Sequence, residues 1–320
     1  MADFRVVVTD QVFPDIEVER ELIEAAGGTI EVASGGRDDV LALARQADAL
    51  LNTYFALDAA DIAGLSRCKI IARYGIGVDN VDLAAARAAG IAVTNVPDYC
   101  VEEVALHTVA LLLAAVRKVA AGDALVRGGG WGASRLGRVR RLSTLTVGLL
   151  GYGRIARQVA DIVRPLAASV LTYDPYLPVT GGGGPAAGGG DRVVELADLF
   201  AESDIVSVHC PLTEQTRGLI DKSALAAMKP GVVLVNTSRG PIVVLADLLD
   251  ALRSGQVGAA ALDVFETEPP AAELLAGVPN LLVTPHSAFY SEEAIRESQR
   301  KATGQVLQAL RGESLDYRVA

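Results

Sequence analysis

"TVGLLGYGRIARQVA" occupies residues 146–160 and changes character in its middle. A short apolar run of strand type ends at Leu150, and a helical stretch begins near Arg154. The six residues across the change, Gly151-Tyr152-Gly153-Arg154-Ile155-Ala156, read G-x-G-x-x-A, a variant of the dinucleotide-binding fingerprint. Gly151 permits the tight turn. Gly153 lets the backbone approach a pyrophosphate, which then rests on the N–H groups of the helix N-terminus, where Arg154 and Ile155 lie. Ala156 is small enough for close helix–strand packing. A glycine pattern alone is a weak signal. Here Asp174 closes the next strand, "SVLTYD", 23 positions after Gly151. A carboxylate there accepts from a ribose 2′-hydroxyl and repels a 2′-phosphate, so the reading is NAD in preference to NADP.

Strand-like and helix-like stretches alternate outward from this motif in both directions. Apolar runs near 169–174, 205–210, 232–238, 258–264 and 280–285 make, with 146–150, six strands separated by helices, as a doubly wound dinucleotide fold requires. Upstream, "RVVVTD" (5–10), "ALLNTY" (49–54), "KIIARY" (69–74) and "AVTN" (92–95) repeat the alternation, with an amphipathic stretch at Asp82–Ala89. This pattern predicts an α/β protein, with parallel sheets covered by helices on both faces. An apolar helix over 101–120 and a glycine- and arginine-rich segment, Arg127–Arg141, separate the two series, and the last helix spans about 291–311. "TGGGGPAAGGG" (180–190) reads as a flexible surface linker without a functional role.

Composition excludes several classes. With 320 residues, 51% apolar and 21% charged, the chain is an ordinary globular protein with room for two domains. The longest uncharged helical run, Val104 to Val116, is too short to span a bilayer. The first ten residues, "MADFRVVVTD", lack the pattern of a secretion signal, so no membrane association is expected. Cys68, Cys100 and Cys210 are odd in number and widely spaced, which reads as reduced thiols in a cytoplasmic protein. They form no zinc spacing with the three histidines, so no metal is expected. A net charge of −10 argues against nucleic acid as a partner. It also repels an anionic substrate, which must then be attracted by a local arginine.

Ligands of open parallel sheets bind outside the carboxyl ends of the strands. "VVLVNTSRG" (232–240) ends a strand with Thr237, Ser238 and Arg239, and "GAAALDVFETEP" (258–269) ends another with Asp263 and carries Glu268 in the following loop. In "LLVTPH" (281–286), Pro285 lacks an N–H and stops the ladder, so His286 emerges just past the strand. Taken singly, His286 is a turn residue and the two charges are solvated. Taken together they form a chemical set. Histidine exchanges a proton near neutrality. A carboxylate beside it fixes its tautomer and favours its charged form. Arginine clamps a substrate carboxylate with bidentate bonds.

At this point the chain resembles the NAD-dependent D-2-hydroxyacid dehydrogenase family over essentially its whole length. The matching blocks are "GIGVDNVDLAAARAAGIAVTNVP", "LLGYGRIARQVA", "TYDPY", "VSVHCPLTEQTRGLI", "LVNTSRG", "GAAALDVFETEP" and "TPHSAFYSEEA". The "YDPY" and "HSAFYS" blocks are most similar to the C-terminal binding protein branch, which includes transcriptional corepressors alongside bacterial dehydrogenases. The resemblance implies a Rossmann NAD-binding domain over 99–290. It also implies a smaller flavodoxin-like substrate domain from 1–98 and 291–320, with the cleft between the two. It assigns catalysis to Arg239, Glu268 and His286. Thr108, Thr237, Ser238 and Asp263 become cofactor residues, with Thr237 and Asp263 near the nicotinamide ribose and amide. Cys210, Pro211 and the run to Thr216 would line the adenine side. Arg73, Gly75, Ile76 and Gly77 match the loop that receives the substrate carboxylate, with Tyr54 and Phe289 lining the same pocket. Helix 101–120 and the basic segment after it would build a twofold homodimer interface.

The implied activity is reversible hydride transfer between NADH and a small 2-oxo acid, giving a D-2-hydroxy acid. A second class is an NAD(H)-sensing, corepressor-like scaffold that retains weak dehydrogenase activity. Formate-type oxidation is disfavoured, because such sites carry glutamine where Glu268 stands. The chain departs from the family pattern after Arg239, where "GPIVVLADLL" replaces the usual acidic stretch, and at Phe289, where the corepressor branch has tryptophan. Of the other histidines, His209 reads as structural at a strand end, and His107 as facing out of an apolar helix for packing or an interface.

Overall fold

The computed structural model describes residues 4–179 and 191–320. The 180–190 glycine tract, read above as a linker, lies outside the described residues. The chain forms two compact units, Met1–Cys100 with Tyr290–Ala320, and Val101–Phe289.

Among the described residues, the first unit has five parallel strands: β1 (Arg5–Val8), β2 (Thr29–Val32), β3 (Ala49–Asn52), β4 (Ile70–Arg73) and β5 (Ala92–Thr94). Their order is β2-β1-β3-β4-β5, the flavodoxin-like winding. Strands β3 and β4 are buried along their whole length, which is why they read as continuous apolar runs. The sequence reading passed over β2. It is an edge strand whose "TIEV" alternates exposed and half-buried residues, so no apolar run marks it. Helix Glu292–Arg311 packs against helix Glu17–Ala25 and strands β3 and β4. Its Gln299 donates to Glu19 Oε2 at 3.0 Å, while the Tyr74 hydroxyl donates to Glu19 Oε1 at 2.7 Å. Burial pushes the Glu19 carboxyl above its ordinary range despite these two bonds. The cluster anchors the end of β4, from which the Gly75–Gly77 loop departs.

Seven parallel strands form the sheet of the second unit among its described residues. They are β6 (Thr146–Leu150), β7 (Ser169–Tyr173), β8 (Arg192–Val193), β9 (Ile205–Val208), β10 (Val232–Asn236), β11 (Val257–Leu262) and β12 (Leu281–Val283). The order β12-β11-β10-β9-β6-β7-β8 reverses direction between β6 and β9, the doubly wound Rossmann arrangement with its switch point at the glycine turn. The expectation of six strands is corrected by β8, two residues at the sheet edge that pair with β7. A strand this short carries no period to detect. The expected single helix over 101–120 is corrected as well. It ends at Arg117, Lys118 adopts a left-handed conformation (φ 54°), and a second helix, Val119–Arg127, continues at a bend of 59°. The first segment buries Val104, Leu111, Leu112 and Val116, whereas the second buries no residue, so packing ceases to dictate the helix axis where the core ends. No single helix among the described residues is long and apolar enough to cross a membrane.

Candidate active site

The glycine turn is the first part of the site, and its sequence leaves little choice of backbone. Gly151 has φ +93°, and a Cβ placed there would lie 2.7 Å from the Cys210 backbone nitrogen, so any side chain is excluded. Gly153 caps helix Arg154–Val163 without a side-chain bond, and a Cβ on it would meet nothing within 4 Å. The helix therefore presents backbone N–H groups to open space, which is the cradle an anionic pyrophosphate fits. Asp174 faces the same turn. Its Oδ2 accepts from the Tyr152 N–H at 3.0 Å and its Oδ1 from the Tyr176 N–H at 3.0 Å. Ser238 Oγ donates to the Cys210 carbonyl at 2.5 Å, and Thr216 Oγ1 to the Pro211 carbonyl at 2.6 Å. The ends of β6, β7, β9 and β10 thus gather Gly151, Gly153, Asp174, Cys210 and Ser238 around one turn, with Pro211 and Thr216 in the loop that leaves β9.

Thr108 and Thr237 meet at 2.7 Å between their hydroxyls, which joins helix Val101–Arg117 to the end of β10. Beyond it, the buried Asn236 accepts from the Ser238 N–H at 3.0 Å and donates to the Arg239 carbonyl at 2.9 Å, shaping the turn that carries Arg239. Gly240 lies flat against the backbone of Phe265 and Glu266, so that a Cβ there would overlap the Phe265 carbonyl. This backbone contact brings the Arg239 loop against the loop that bears Glu268.

His286 Nδ1 lies 2.7 Å from Glu268 Oε2, and the Phe265 N–H donates to Glu268 Oε1 at 3.0 Å. Burial pushes the Glu268 carboxyl up. The His286 bond and charge, the Phe265 N–H and the Arg239 guanidinium outweigh it and hold the group below the usual carboxylate range. A carboxylate accepts only, so Nδ1 carries a proton and Nε2 is the atom left to exchange one. The Phe289 ring stands edge-on to His286, with centroids 6.2 Å apart. His286 itself has φ +52°, a backbone region that side-chain-bearing residues enter at a cost and that recurs at functional sites.

Asp263 sits at the end of β11, 1% exposed, where it accepts from Thr284 Oγ1 and the Ser287 and Ala288 N–H groups. His107 does not face outward as expected: its Nε2 lies 3.1 Å from Thr284 Oγ1. The expectation had it facing out of an apolar helix for packing or an interface, and that face of the helix meets the end of β12. His209 Nε2 lies 2.9 Å from Ser207 Oγ, and burial pushes its imidazole down to about 4, so it is neutral near pH 7.

In the first unit, Asp10 accepts from the Thr53, Tyr54 and Phe55 N–H groups and builds the turn that leaves Tyr54 exposed. Arg73 is buried and donates to the Thr53 carbonyl, tying β4 to that turn. The Gly75 carbonyl accepts from the Val96 N–H at 3.1 Å, and the Ile76 carbonyl from Asn95 Nδ2 at 2.7 Å. In a planar trans peptide the N–H points opposite to the C=O, so the Ile76 and Gly77 N–H groups face away from β5.

Residues 109–288 match the family model described as "D-isomer specific 2-hydroxyacid dehydrogenase, NAD binding domain". The chain belongs to the D-2-hydroxyacid dehydrogenase family. NAD is the cofactor of the matched domain, and the glycine cradle with Asp174 facing it fits that group. Hydroxypyruvate reductase of Thermotoga maritima is 35% identical over 306 residues, covering 92% of this chain and 95% of that protein. D-3-phosphoglycerate dehydrogenase of Mycobacterium tuberculosis is 40% identical over 312 residues, or 96% of this chain and 57% of the relative. The chain thus spans a little over half the length of this curated relative. Among solved structures, D-lactate dehydrogenase of Aquifex aeolicus, complexed with NAD and lactic acid, superposes with a TM-score of 0.85. It is 26% identical and the match covers 97% of this chain and 96% of that one.

Four residues that shape these loops escaped the sequence reading: Asp10 in the first unit, and His107, Asn236 and Thr284 in the second. Asp10 and Asn236 had a usable signal, since each ends an apolar strand with a short polar side chain able to cap the following turn. His107 and Thr284 had none, because their partners lie far away in sequence.

Proposed function

We propose that the chain catalyses reversible, NAD(H)-dependent hydride transfer between a small 2-oxo acid and a D-2-hydroxy acid. The observation that carries this reading is the 2.7 Å pairing of His286 with an ionised Glu268, on a loop in backbone contact with that of Arg239. His286 Nε2 gives a proton to the carbonyl oxygen during reduction and takes it back during oxidation. Glu268 holds the imidazole by Nδ1 and favours its charged state. Arg239 and the N–H groups of Gly75, Ile76 and Gly77 hold the substrate carboxylate. Arg73 belongs to the same carboxylate-receiving loop, and Tyr54 and Phe289 shape the pocket around the substrate side chain. The bound nicotinamide supplies or accepts the hydride. Gly151, Gly153, Arg154, Ile155 and Asp174 hold the pyrophosphate and ribose, Cys210, Pro211 and Thr216 the adenine side, and Thr108, Thr237, Ser238 and Asp263 the nicotinamide side.

We assign NAD binding to the unit Val101–Phe289 and substrate binding to Met1–Cys100 with Tyr290–Ala320. A cytoplasmic homodimer fits the composition and the exposed apolar side chains of Val119, Val126 and Trp131, the last 80% exposed. Placement beside the C-terminal binding proteins rests on "YDPY" and "HSAFYS" alone, and the relatives described above are a dehydrogenase and a reductase by name. The test is NADH oxidation over glyoxylate, pyruvate, hydroxypyruvate, phenylpyruvate and branched 2-oxo acids, with NAD reduction by D-3-phosphoglycerate alongside. Turnover of one or more is expected. Absence of turnover on all, with NADH-dependent capture of a protein partner, would move the reading to the scaffold.

A further inference from the structure

Asp263 sits at the centre of a set of hydrogen bonds whose proton directions are fixed. Burial pushes its carboxyl up, but the nearby His107 ring and the bonds from Thr284 and the Ser287 and Ala288 N–H groups hold it below the usual range. It is therefore ionised near neutrality and only accepts. Thr284 Oγ1 lies 2.5 Å from Asp263 Oδ1 and must donate there. A hydroxyl has one proton, so toward His107 Nε2, 3.1 Å away, the same oxygen can only accept. His107 Nε2 consequently carries a proton whatever the charge of the ring. The same nitrogen is 3.6 Å from Asp263 Oδ1, which favours that state further.

This chain of donors ends on the turn that carries His286. The His286 N–H donates to the Asp263 carbonyl at 2.8 Å, and the next two N–H groups donate to the two Asp263 carboxylate oxygens at 2.9 Å each. Asp263 thus clasps three successive residues while the first of them holds φ +52°. A left-handed conformation at a side-chain-bearing residue persists only where surrounding contacts over-determine it.

We propose that His107 is a positioning residue for proton transfer: by donating to Thr284 it keeps the Thr284 hydroxyl on Asp263, and so holds the turn that aims His286. This rests on the reading of His286 as the proton carrier. An acceptor in place of His107 would compete with Asp263 for the single Thr284 proton, whereas an apolar residue would merely leave the hydroxyl without a donor.

Three variants separate the role from simple packing. His107→Gln keeps an N–H donor, His107→Phe keeps a ring without one, and His107→Glu places an acceptor with a negative charge toward Asp263. Expected kcat falls in the order Gln, Phe, Glu. The Phe variant loses about tenfold, less than the roughly hundredfold that an ångström of misplacement costs. KM for NADH changes little in the Gln and Phe variants. Amide hydrogen exchange of the full chain without substrate provides a second readout. Exchange within 284–289 should rise in His107→Phe and stay near native in His107→Gln, with helix Leu245–Ser254 of the same unit as the control for its stability. If Phe equals or exceeds Gln in both kcat and protection, His107 is a packing residue and the proposal is overturned. Faster exchange with unchanged kcat overturns it too, because the turn would then be held but not aimed. His286→Ala is the separate test of the underlying reading. If that variant keeps its activity, the proton-transfer role falls, and the exchange ordering still shows whether His107 holds the turn.

Discussion

Glu268 is a carboxylate kept ionised against the pull of burial, and the coupling that achieves this works in both directions. If the His286 charge helps hold Glu268 below its ordinary range, the Glu268 charge equally favours the protonated imidazole. In the proposed mechanism, reduction requires that protonated form and oxidation the neutral one. Glu268→Gln keeps the hydrogen bond but removes the charge, so the falling limb of the reductive pH–rate profile should move to lower pH. The rising oxidative limb should move with it. Stopped-flow rates measured on both sides of neutrality check this, and an alkaline displacement would separate the two residues. Arg239 should matter by shape as well as charge. Arg239→Lys cannot present the planar fork, so kcat/KM for the 2-oxo acid is expected to fall by one to two orders of magnitude, about 1.4 kcal/mol for each tenfold. Asp174→Ala loses an acceptor for the ribose and a repulsion against a 2′-phosphate. The ratio of kcat/KM for NADH over NADPH should drop, chiefly through a weaker NADH term. A wild-type chain that already uses NADPH as well as NADH would remove Asp174 from that role.

In the proposed mechanism loops at strand ends carry the chemistry, and the backbone contact between two of them sets their geometry. Gly240 lies against Phe265 and Glu266, which joins the loop of Arg239 to that of Glu268. Gly240→Ala must push the two apart. Overpacking of this kind costs about 1–3 kcal/mol, and more where the neighbour is backbone. We expect a lower urea midpoint together with a fall in kcat. By contrast, Gly153→Ala places its Cβ in open space, so folding stability should be nearly unchanged while NADH affinity falls. Urea titration and fluorescence titration of NADH distinguish these two glycines, which look alike in the sequence. Much of this level was nonetheless legible. Strands that end in "NTSRG", "LDVFETEP" and "TPH" announced themselves by apolar runs stopped by polar or proline residues. The bend at Lys118 was not, because the apolar pattern continues across it and only the loss of a packing surface ends the first helix.

Over the whole molecule, the stability of the fold should depend on acidity in two opposed ways. Asp204 accepts from Arg140 at 2.5 Å and the Thr146 N–H at 3.0 Å, and lies 3.4 Å from Lys229. Burial pushes it up, but these partners hold it low. Asp263 and Glu268 are likewise depressed. A group whose folded pKa lies below its unfolded value stabilises fully above that unfolded value, about 4 for these carboxyls. The contribution is lost as pH falls through the folded pKa. The urea midpoint should therefore drop steeply below about pH 4. Glu19 runs the other way, since its raised folded pKa favours folding in its protonated state. Its contribution is present at low pH and is lost as pH rises through that folded value. Glu19→Gln should flatten the slope of the midpoint on the neutral side while leaving the acid limb in place.

The sequence by itself determined the alternation of elements, the dinucleotide turn with its acid 23 positions on, and the placement of Arg239, Glu268 and His286 beyond strand ends. Each of these follows from local rules: which residues tolerate a tight turn, what stops a ladder, and how an apolar run reads when both faces are buried. Only the tertiary structure decided the edge strands β2 and β8, the bend at Lys118, and the destination of His107. Edge strands are defined by a neighbour and not by their own burial. A helix axis follows the core it packs on. His107 meets Thr284 across 177 residues of chain. No local pattern encodes such a meeting, because it exists only once the sheet and helices of the second unit have closed around it.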